Sequence, residues 1–91
     1  MEFEYDEKKS QINKLKHGID FEEAKKLWME PLAFEIPSSK EIEEERFLVF
    51  GKIEEKLYVA IITYRNQKIR IISVRRARKK ETKLYESITN R

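Results

Sequence analysis

The chain has 91 residues, of which 40% are hydrophobic and 41% charged, so one small core beneath a heavily charged surface is expected. It contains no cysteine and a single histidine, which excludes disulfides, thiolate catalysis and metal sites rich in cysteine or histidine. The composition predicts one domain over residues 1–91 without a metal or other cofactor, and any catalysis would depend on Lys, Arg, Glu, Asp, Tyr and His17.

The sequence also predicts where the protein resides. Its first residues are acidic and aromatic, and they do not form the basic segment and apolar run of a secretory signal. A run of about 18 apolar residues, the length needed to cross a bilayer, occurs nowhere. We therefore expect a soluble cytoplasmic protein that does not associate with a membrane.

The charge is distributed unevenly along the chain. Residues 65–80 contain eight bases and no acid, whereas residues 1–64 contain 10 bases against 15 acids. A basic segment of this density on an otherwise acidic chain favours a phosphate-bearing or acidic partner. The alternative is that these bases only keep a small domain soluble. The eight are Arg65, Lys68, Arg70, Arg75, Arg76, Arg78, Lys79 and Lys80.

At the start of the chain, aromatic and acidic residues alternate, which predicts a short edge strand. Asp6 follows and is placed to cap a helix over residues 7–17. This helix is expected to bury Ile12 and Leu15 and to end at Gly18 in the left-handed conformation.

A second helix is predicted directly afterwards. Asp20 and Glu23 have the spacing of a capping box, and Pro31 is expected to end the helix. Its apolar face would consist of Phe21, Ala24, Leu27 and Trp28.

Beyond Pro31 the hydrophobic period changes to two, which indicates strands. A strand around residues 32–36 and a polar loop over residues 37–43 are followed by strands over residues 45–52, 57–65 and 68–76. The strand over residues 57–65 is the most apolar and is expected to be central, with a tight turn at Asn66-Gln67 after it. A helix over residues 79–89 closes the chain, with Leu84, Tyr85 and Ile88 on its apolar side.

These elements predict an α+β fold with a short N-terminal strand, two N-terminal helices, an antiparallel sheet of about four strands and a C-terminal helix. Because side chains alternate along a strand, the last strand is expected to present two different faces. One face would hold Arg70, Ile72, Val74 and Arg76, and the other Ile69, Ile71, Ser73 and Arg75.

A series of short motifs runs along almost the whole chain. The first half contains Phe3-Glu4-Tyr5-Asp6, Lys9, Asn13, Lys16-His17-Gly18-Ile19, Phe21-x-Glu23-Ala24 and Glu30-Pro31-Leu32. The second half contains Glu44-Glu45-Arg46, Gly51, Thr63-Tyr64-Arg65, Arg70-Ile71-Ile72-Ser73-Val74-Arg75-Arg76-Ala77, Glu81 and Tyr85. In this order and at this spacing the motifs resemble the BrnT family of toxins, and Lys-His-Gly together with Ile-Ser-x-Arg-x-Ala is the specific combination. The chain departs from the family pattern at Tyr5, Glu30 and Val74, where tryptophan, aspartate and alanine are common.

The resemblance implies a RelE-like fold and an endoribonuclease that cleaves RNA and arrests growth. It also implies neutralisation by a BrnA-like antitoxin with a ribbon-helix-helix domain. The complex of the two proteins would repress the promoter of their own operon. The toxin would bind operator DNA only through that complex.

Metal-independent RNA cleavage needs a base for the 2′-hydroxyl, cations for the transition state and an acid for the departing 5′-oxygen. The motif Ile-Ser-x-Arg-x-Ala selects Arg75 as the matching residue. We expect Arg75 and Arg70 to clamp the scissile phosphate, because a guanidinium can bind two phosphate oxygens at once. The alternative is that one of these arginines pairs with Glu45 or Glu81 and ties the helix to the sheet.

His17 is the natural candidate for the general acid or base, because histidine is the residue type that exchanges protons near neutral pH. At a helix C-terminus it could equally serve only as a cap. The resemblance in Lys16-His17-Gly18 favours the catalytic role, provided that this loop folds toward the last strands.

The resemblance adds a second set of candidates, since several RelE-like toxins work with lysine, glutamate, tyrosine and arginine instead of histidine. Glu45 and Arg65 are then catalytic candidates, and the set also includes Lys14, Arg46 and Tyr64. Glu45 could serve as a base and Tyr64 could stack on a base or donate a proton, but each of these two could instead be a cross-strand surface partner. The RNA-binding candidates are Lys14, Arg46, Tyr64, Arg76, Arg78, Lys79 and Lys80. Residues expected in the core or at the antitoxin interface are Phe21, Trp28, Phe34, Phe47, Phe50 and Tyr85. The competing hypothesis is a non-catalytic module that binds nucleic acid or an acidic protein, such as a degenerate toxin kept as a co-repressor.

Overall fold

The computed structural model describes residues 2–38 and 44–90, which form three α-helices, a 3-10 helix and a five-stranded sheet. The helices are α1 (Glu7–His17), α2 (Phe21–Ala24) and α3 (Lys79–Thr89), and the 3-10 helix spans Lys25–Met29. The strands are β1 (Phe3–Glu4), β2 (Phe34–Pro37), β3 (Phe47–Ile53), β4 (Lys56–Arg65) and β5 (Lys68–Arg76). This confirms the predicted α+β fold.

The strand order is β1-β5-β4-β3-β2, so β4 is central, as its apolar sequence predicts. The sheet has one strand more than the four antiparallel strands expected, because β1 joins its edge in parallel with β5. Phe3 pairs with Ile69, and the backbone N–H of Ile69 donates to the Glu2 carbonyl at 2.8 Å. The remaining neighbours are antiparallel.

Some boundaries differ from the expected ones. Strand β2 begins at Phe34 and includes Pro37, and β3 begins at Phe47. Residues 39–43 of the predicted polar loop lie outside the described residues. The turn at Asn66-Gln67 is confirmed, with φ of 53° and 65°, the left-handed geometry that matches the twist of a hairpin.

The ends of α1 follow the sequence. The Asp6 carboxylate accepts from the backbone N–H groups of Lys8 at 2.9 Å and Lys9 at 3.2 Å. Gly18 has a φ of 75° and its N–H donates to the Lys14 carbonyl, which ends the helix.

The predicted buried face of α1 is wrong. Ile12 is 54% exposed and Leu15 is 88% exposed, whereas Ser10 and Asn13 are buried. The reason is that α1 packs against β5 through polar contacts: the Asn13 amide donates to the Val74 carbonyl at 2.8 Å and accepts from the Val74 N–H at 3.3 Å. Asn13 thus supplies β5 with the hydrogen bonds that an edge strand otherwise lacks.

The capping box of α2 is confirmed. The Asp20 carboxylate accepts from the Glu23 N–H at 2.7 Å, and the Glu23 carboxylate accepts from the Asp20 N–H at 3.0 Å. The α-helix ends at Ala24, and a 3-10 helix continues from Lys25 to Met29. The α-helical part of the predicted second helix is therefore shorter than expected.

Both faces of the sheet are covered by apolar packing. On one face, residues of α2 and the 3-10 helix pack on β3, β4 and β5. On the other face, Tyr85 of α3 packs with Phe50, Leu57 and Val59. Tyr85 is 3% exposed, so its ring belongs to the core. The first cluster consists of Ile19, Phe21, Ala24, Leu27, Val49, Ala60, Ile62, Ile69, Ile71 and Val74.

A bulge in β5 changes which residues share a face. Ile62 pairs with Ile71 but Ile61 pairs with Ser73, so Ile72 is an extra residue. The strict alternation expected for β5 is therefore wrong beyond Ile71. Val74 joins Ile69 and Ile71 in the core, and the register places Arg70 and Arg75 on the same face of the sheet.

Candidate functional site

The first three bases of the basic segment are paired with glutamates at one end of the sheet. The Arg65 guanidinium lies 3.1 Å from the Glu44 carboxylate. The Arg70 guanidinium lies 3.1 Å from the Glu4 carboxylate. The Lys68 ammonium lies 3.6 Å from the Glu2 carboxylate. These pairs reduce the positive charge that this end of the sheet presents to a phosphate.

Four members of the second set of candidates, Glu45, Arg46, Tyr64 and Arg65, lie at the same end. The Glu45 side chain is exposed while its backbone carbonyl accepts from the Thr63 hydroxyl at 2.7 Å. The Arg46 Nε lies 3.9 Å from the Glu44 carboxylate. The Tyr64 hydroxyl donates to the Glu35 carboxylate, and burial together with this bond raises the pKa of Tyr64 to about 12. Tyr64 therefore stays protonated at physiological pH.

Arg75 forms a bidentate ion pair with the Glu81 carboxylate. Its Nη1 and Nη2 donate to the two Glu81 oxygens at 2.7 and 2.9 Å, and both side chains are largely buried, 17% and 16% exposed. Glu81 also accepts from the Arg78 backbone N–H at 2.8 Å, which caps α3. The hydrogen bonds between them raise the pKa of Arg75 and lower the pKa of Glu81. Arg75 thus ties α3 to the sheet.

Arg70 and Arg75 are not brought together around one point. Arg70 lies opposite Thr63 and Arg75 opposite Val59, which are four positions and about 13 Å apart along β4. Each has its own carboxylate, Glu4 for Arg70 and Glu81 for Arg75. Of the two interpretations offered by the sequence, the ion pair is the arrangement that Arg75 adopts.

The opposite end of the sheet brings other predicted residues together around Tyr58. Arg76 pairs with Tyr58 across the strands, and its guanidinium carbon lies 5.7 Å from the centre of the Tyr58 ring. Gly18, next to His17, lines a cavity of about 200 Å³ together with Tyr58. The charged residues of its lining are two lysines, Lys26 and Lys56, and two glutamates, Glu23 and Glu54. The Lys16-His17-Gly18 loop therefore does fold toward the end of the last strands.

Lys14 is connected to the same cavity through Glu23, which lines it together with Tyr58. Its ammonium binds the Glu23 carboxylate at 2.8 Å, and this hydrogen bond is the main reason that the pKa of Lys14 is raised, with a smaller contribution from Tyr58. The pKa of Glu23 is lowered by the same bond. Lys14, Glu23, Tyr58 and Arg76 form a group of lysine, glutamate, tyrosine and arginine, which we call the Tyr58 cluster.

Sequence reasoning missed Tyr58. It lies within the most apolar segment of the chain, where an aromatic residue needs no explanation beyond the core. The cross-strand register through the Asn66-Gln67 turn was the available signal, because it places Tyr58 opposite Arg76.

The remaining bases continue from this end of the sheet. Arg78, Lys79 and Lys80 are exposed at the start of α3. Within residues 2–38 and 44–90, Arg76 and these three residues make no ion pair with a carboxylate, in contrast to Arg65, Arg70 and Arg75. Within the basic segment, the charge that is not paired with a carboxylate therefore begins at Arg76, opposite Tyr58, and continues to Lys80 at the start of α3.

Two further properties of the described residues bear on function. No three of their carboxylate or imidazole groups lie close enough together to hold a metal ion. Their helices are too short or too polar to span a membrane.

The comparison with protein families decides the class of the protein. A family model described as the ribonuclease toxin BrnT of type II toxin-antitoxin systems matches residues 5–81. The chain belongs to the BrnT family. The matched region includes the Lys16-His17-Gly18 loop, the Tyr58 cluster and the Arg75–Glu81 pair. Curated proteins offer no match to this chain. As a BrnT toxin of a type II system, it has RNA as its substrate class and an antitoxin as its partner.

Proposed function

We propose that this BrnT-family chain is a metal-independent endoribonuclease that cuts RNA at the end of the sheet where α1 and β5 both stop. The observation that supports this most directly is the meeting of two distant motifs at Tyr58. Gly18 of the Lys-His-Gly motif lines a cavity with Tyr58, and Arg76, beside the motif arginine Arg75, stacks on the Tyr58 ring.

The proposed chemistry divides the roles among these residues. His17, exposed at the end of α1, exchanges the proton of the 2′-hydroxyl or of the leaving oxygen. Arg76, which makes no ion pair with a carboxylate among the described residues, stabilises the charge of the phosphorane-like transition state, while Lys14 stays bound to Glu23 at 2.8 Å. Arg75 holds α3 against the sheet, so that Arg78, Lys79 and Lys80 point their charge toward the incoming RNA.

Arg65, Arg70, Glu45, Arg46 and Tyr64 remain predicted site residues at the other end of the sheet. Four of them, Arg65, Arg70, Arg46 and Tyr64, are paired with Glu44, Glu4 or Glu35, which makes these four weaker candidates, because a phosphate would have to compete with a carboxylate. We place the reaction at the Tyr58 cluster for this reason.

We further propose that the antitoxin is of the BrnA type, with a ribbon-helix-helix domain, and that the two proteins act in the cytoplasm. The complex would repress its own operon, with operator DNA contacted through the antitoxin. The support for these points is membership of a toxin family of type II systems.

The deciding experiment incubates the purified protein with RNA in excess EDTA and identifies the product ends. Cleavage that leaves 2′,3′-cyclic phosphates supports a metal-independent endoribonuclease. His17→Ala and Arg76→Ala should each lower the rate at least tenfold, while Lys83→Ala, which removes an exposed base of α3, serves as the matched control.

The alternative function is a non-catalytic module, and the ion pairs of Arg65, Arg70 and Arg75 favour it, since they show that many of the arginines have structural partners. Intact RNA that is nevertheless bound tightly, with or without added Mg²⁺, would establish the module and contradict the enzyme.

A further inference from the structure

An apolar groove lies on the sheet away from the Tyr58 cluster. It encloses about 410 Å³, and its apolar wall includes Trp28, Val49, Tyr64 and Ile69. Trp28 is held in place by Phe3, whose ring packs edge-on at 4.9 Å. The groove is therefore built from side chains of the 3-10 helix and of the four strands β2 to β5.

Two exposed apolar side chains are next in sequence to residues that line this groove. Met29 is 81% exposed and directly follows Trp28, and Leu32 is 54% exposed and directly precedes Ala33, which lines the groove. A small monomeric domain gains nothing in stability from apolar side chains left in water. The groove and these two residues together indicate a docking surface.

The charge of the groove is opposite to that of the RNA-facing end. Glu30 and Glu35 line it, and no Lys or Arg of the described part of the chain does. Backbone N–H donation by Leu32 is the largest influence on Glu30 and lowers its pKa, so the carboxylate stays ionised. Glu35 is exposed on β2 and accepts a hydrogen bond from Tyr64. Such a surface repels RNA phosphates and attracts cations.

The adjoining strand indicates the shape of the occupant. Strand β2 lies at the edge of the sheet, with β3 as its neighbour on the inner side. An edge strand presents backbone hydrogen-bonding groups to an extended peptide, and alternate side chains of that peptide then point the same way.

We infer that this groove binds an extended segment of the antitoxin in which apolar side chains alternate with Lys or Arg. The apolar side chains would fill the space beside Trp28 and Val49, and the bases would pair with Glu35 and Glu30. The inference rests on the proposed function only for the existence of the antitoxin. It separates the two partners, with RNA at the basic end of the sheet and the antitoxin on the acidic groove.

The test measures the affinity of the purified chain for the antitoxin encoded in the same operon. Glu35→Lys should weaken the complex at least tenfold, and Glu35→Gln should weaken it less. Glu7→Lys makes the same change in charge at an exposed residue at the start of α1, outside the groove, and its affinity should stay within twofold of wild type. Both lysine variants should cleave RNA at the wild-type rate, which shows that they are folded.

Charge reversal identifies the antitoxin segment. Each Lys and Arg of the antitoxin is changed in turn to Glu, and at least one change should restore binding to the Glu35→Lys variant. Wild-type affinity of Glu35→Lys, or an equal loss in Glu35→Lys and Glu7→Lys, overturns the inference. Tighter RNA binding by Glu35→Lys than by Glu7→Lys would show that RNA occupies the groove, and it also overturns the inference. Absence of cleavage by the wild-type chain would instead contradict the proposed enzyme, so the two failures are distinguishable.

Discussion

The side-chain amide of Asn13 takes the place of a neighbouring strand for Val74. It donates to the Val74 carbonyl at 2.8 Å and accepts from the Val74 N–H at 3.3 Å, beyond the point where β1 has ended. The same amide donates to the Ile19 carbonyl at 2.8 Å. One buried residue therefore joins α1, the loop after it and β5.

Asn13→Ala should lower the free energy of unfolding by about 2–4 kcal/mol, because it leaves buried backbone groups of β5 without partners. Urea denaturation measures the change. Gln11→Ala, on the exposed face of the same helix, is the control and should change stability by less than about 0.5 kcal/mol. An Asn13→Ala variant as stable as this control would show that water replaces the amide.

Truncating Leu15 should have almost no effect on folding. Leu15→Ala removes a side chain that is 88% exposed, so we expect a change of less than about 0.5 kcal/mol in unfolding free energy. Leu27→Ala removes a completely buried side chain and should cost about 2–5 kcal/mol. Thermal melts of the two variants provide the comparison, and a large loss in Leu15→Ala would mean that this helix face is covered in solution.

The Glu81–Arg75 pair should make stability depend on acidic pH. The pKa of Glu81 is lowered in the folded chain, chiefly by the hydrogen bonds from Arg75, so its contribution is complete above the usual value of 4.5. It is lost as the pH falls below that value toward the folded-state pKa. Glu81→Gln should therefore be less stable by about 1–2 kcal/mol at pH 7, with the difference shrinking toward pH 3. Denaturation curves at several pH values measure it, and a constant difference would contradict this assignment.

The Tyr58 ring, rather than its hydroxyl, should matter for RNA binding, because Arg76 stacks on the ring face. Tyr58→Phe should retain RNA affinity within about threefold, while Arg76→Ala should weaken binding and reduce the salt dependence by about one phosphate contact. Titration of RNA at several salt concentrations gives both quantities. If Tyr58→Phe loses as much cleavage as Arg76→Ala while binding normally, the hydroxyl takes part in the proton transfers.

The features that the sequence predicts correctly are those determined by neighbouring residues. Asp6, Gly18 and the Asp20–Glu23 box act within a few positions of themselves, and Asn66-Gln67 closes a turn between adjacent strands. The periodicity argument failed for α1 because it assumes that a helix packs on an apolar surface. This helix packs on the edge of a strand, where hydrogen bonds decide which face turns inward.

The candidate site could be predicted only in part for a similar reason. The concentration of positive charge is visible in the sequence, but which arginines are neutralised depends on partners far along the chain. Glu4 lies 66 positions before Arg70, and no local pattern connects them. The bulge at Ile72 adds one residue within a run of isoleucines, where nothing marks the change of face.

The distance in sequence between Asn13 and Val74 has a consequence for synthesis of the toxin. The first elements made, β1 and α1, find their strand partner 61 to 66 positions later. Until the ribosome has made β5, neither β1 nor α1 can form its contacts with that strand. The sheet is therefore completed late. A message cut upstream of codon 68 would yield a fragment lacking the strand that joins the two halves, and the cell would make an unfolded peptide in place of a toxin.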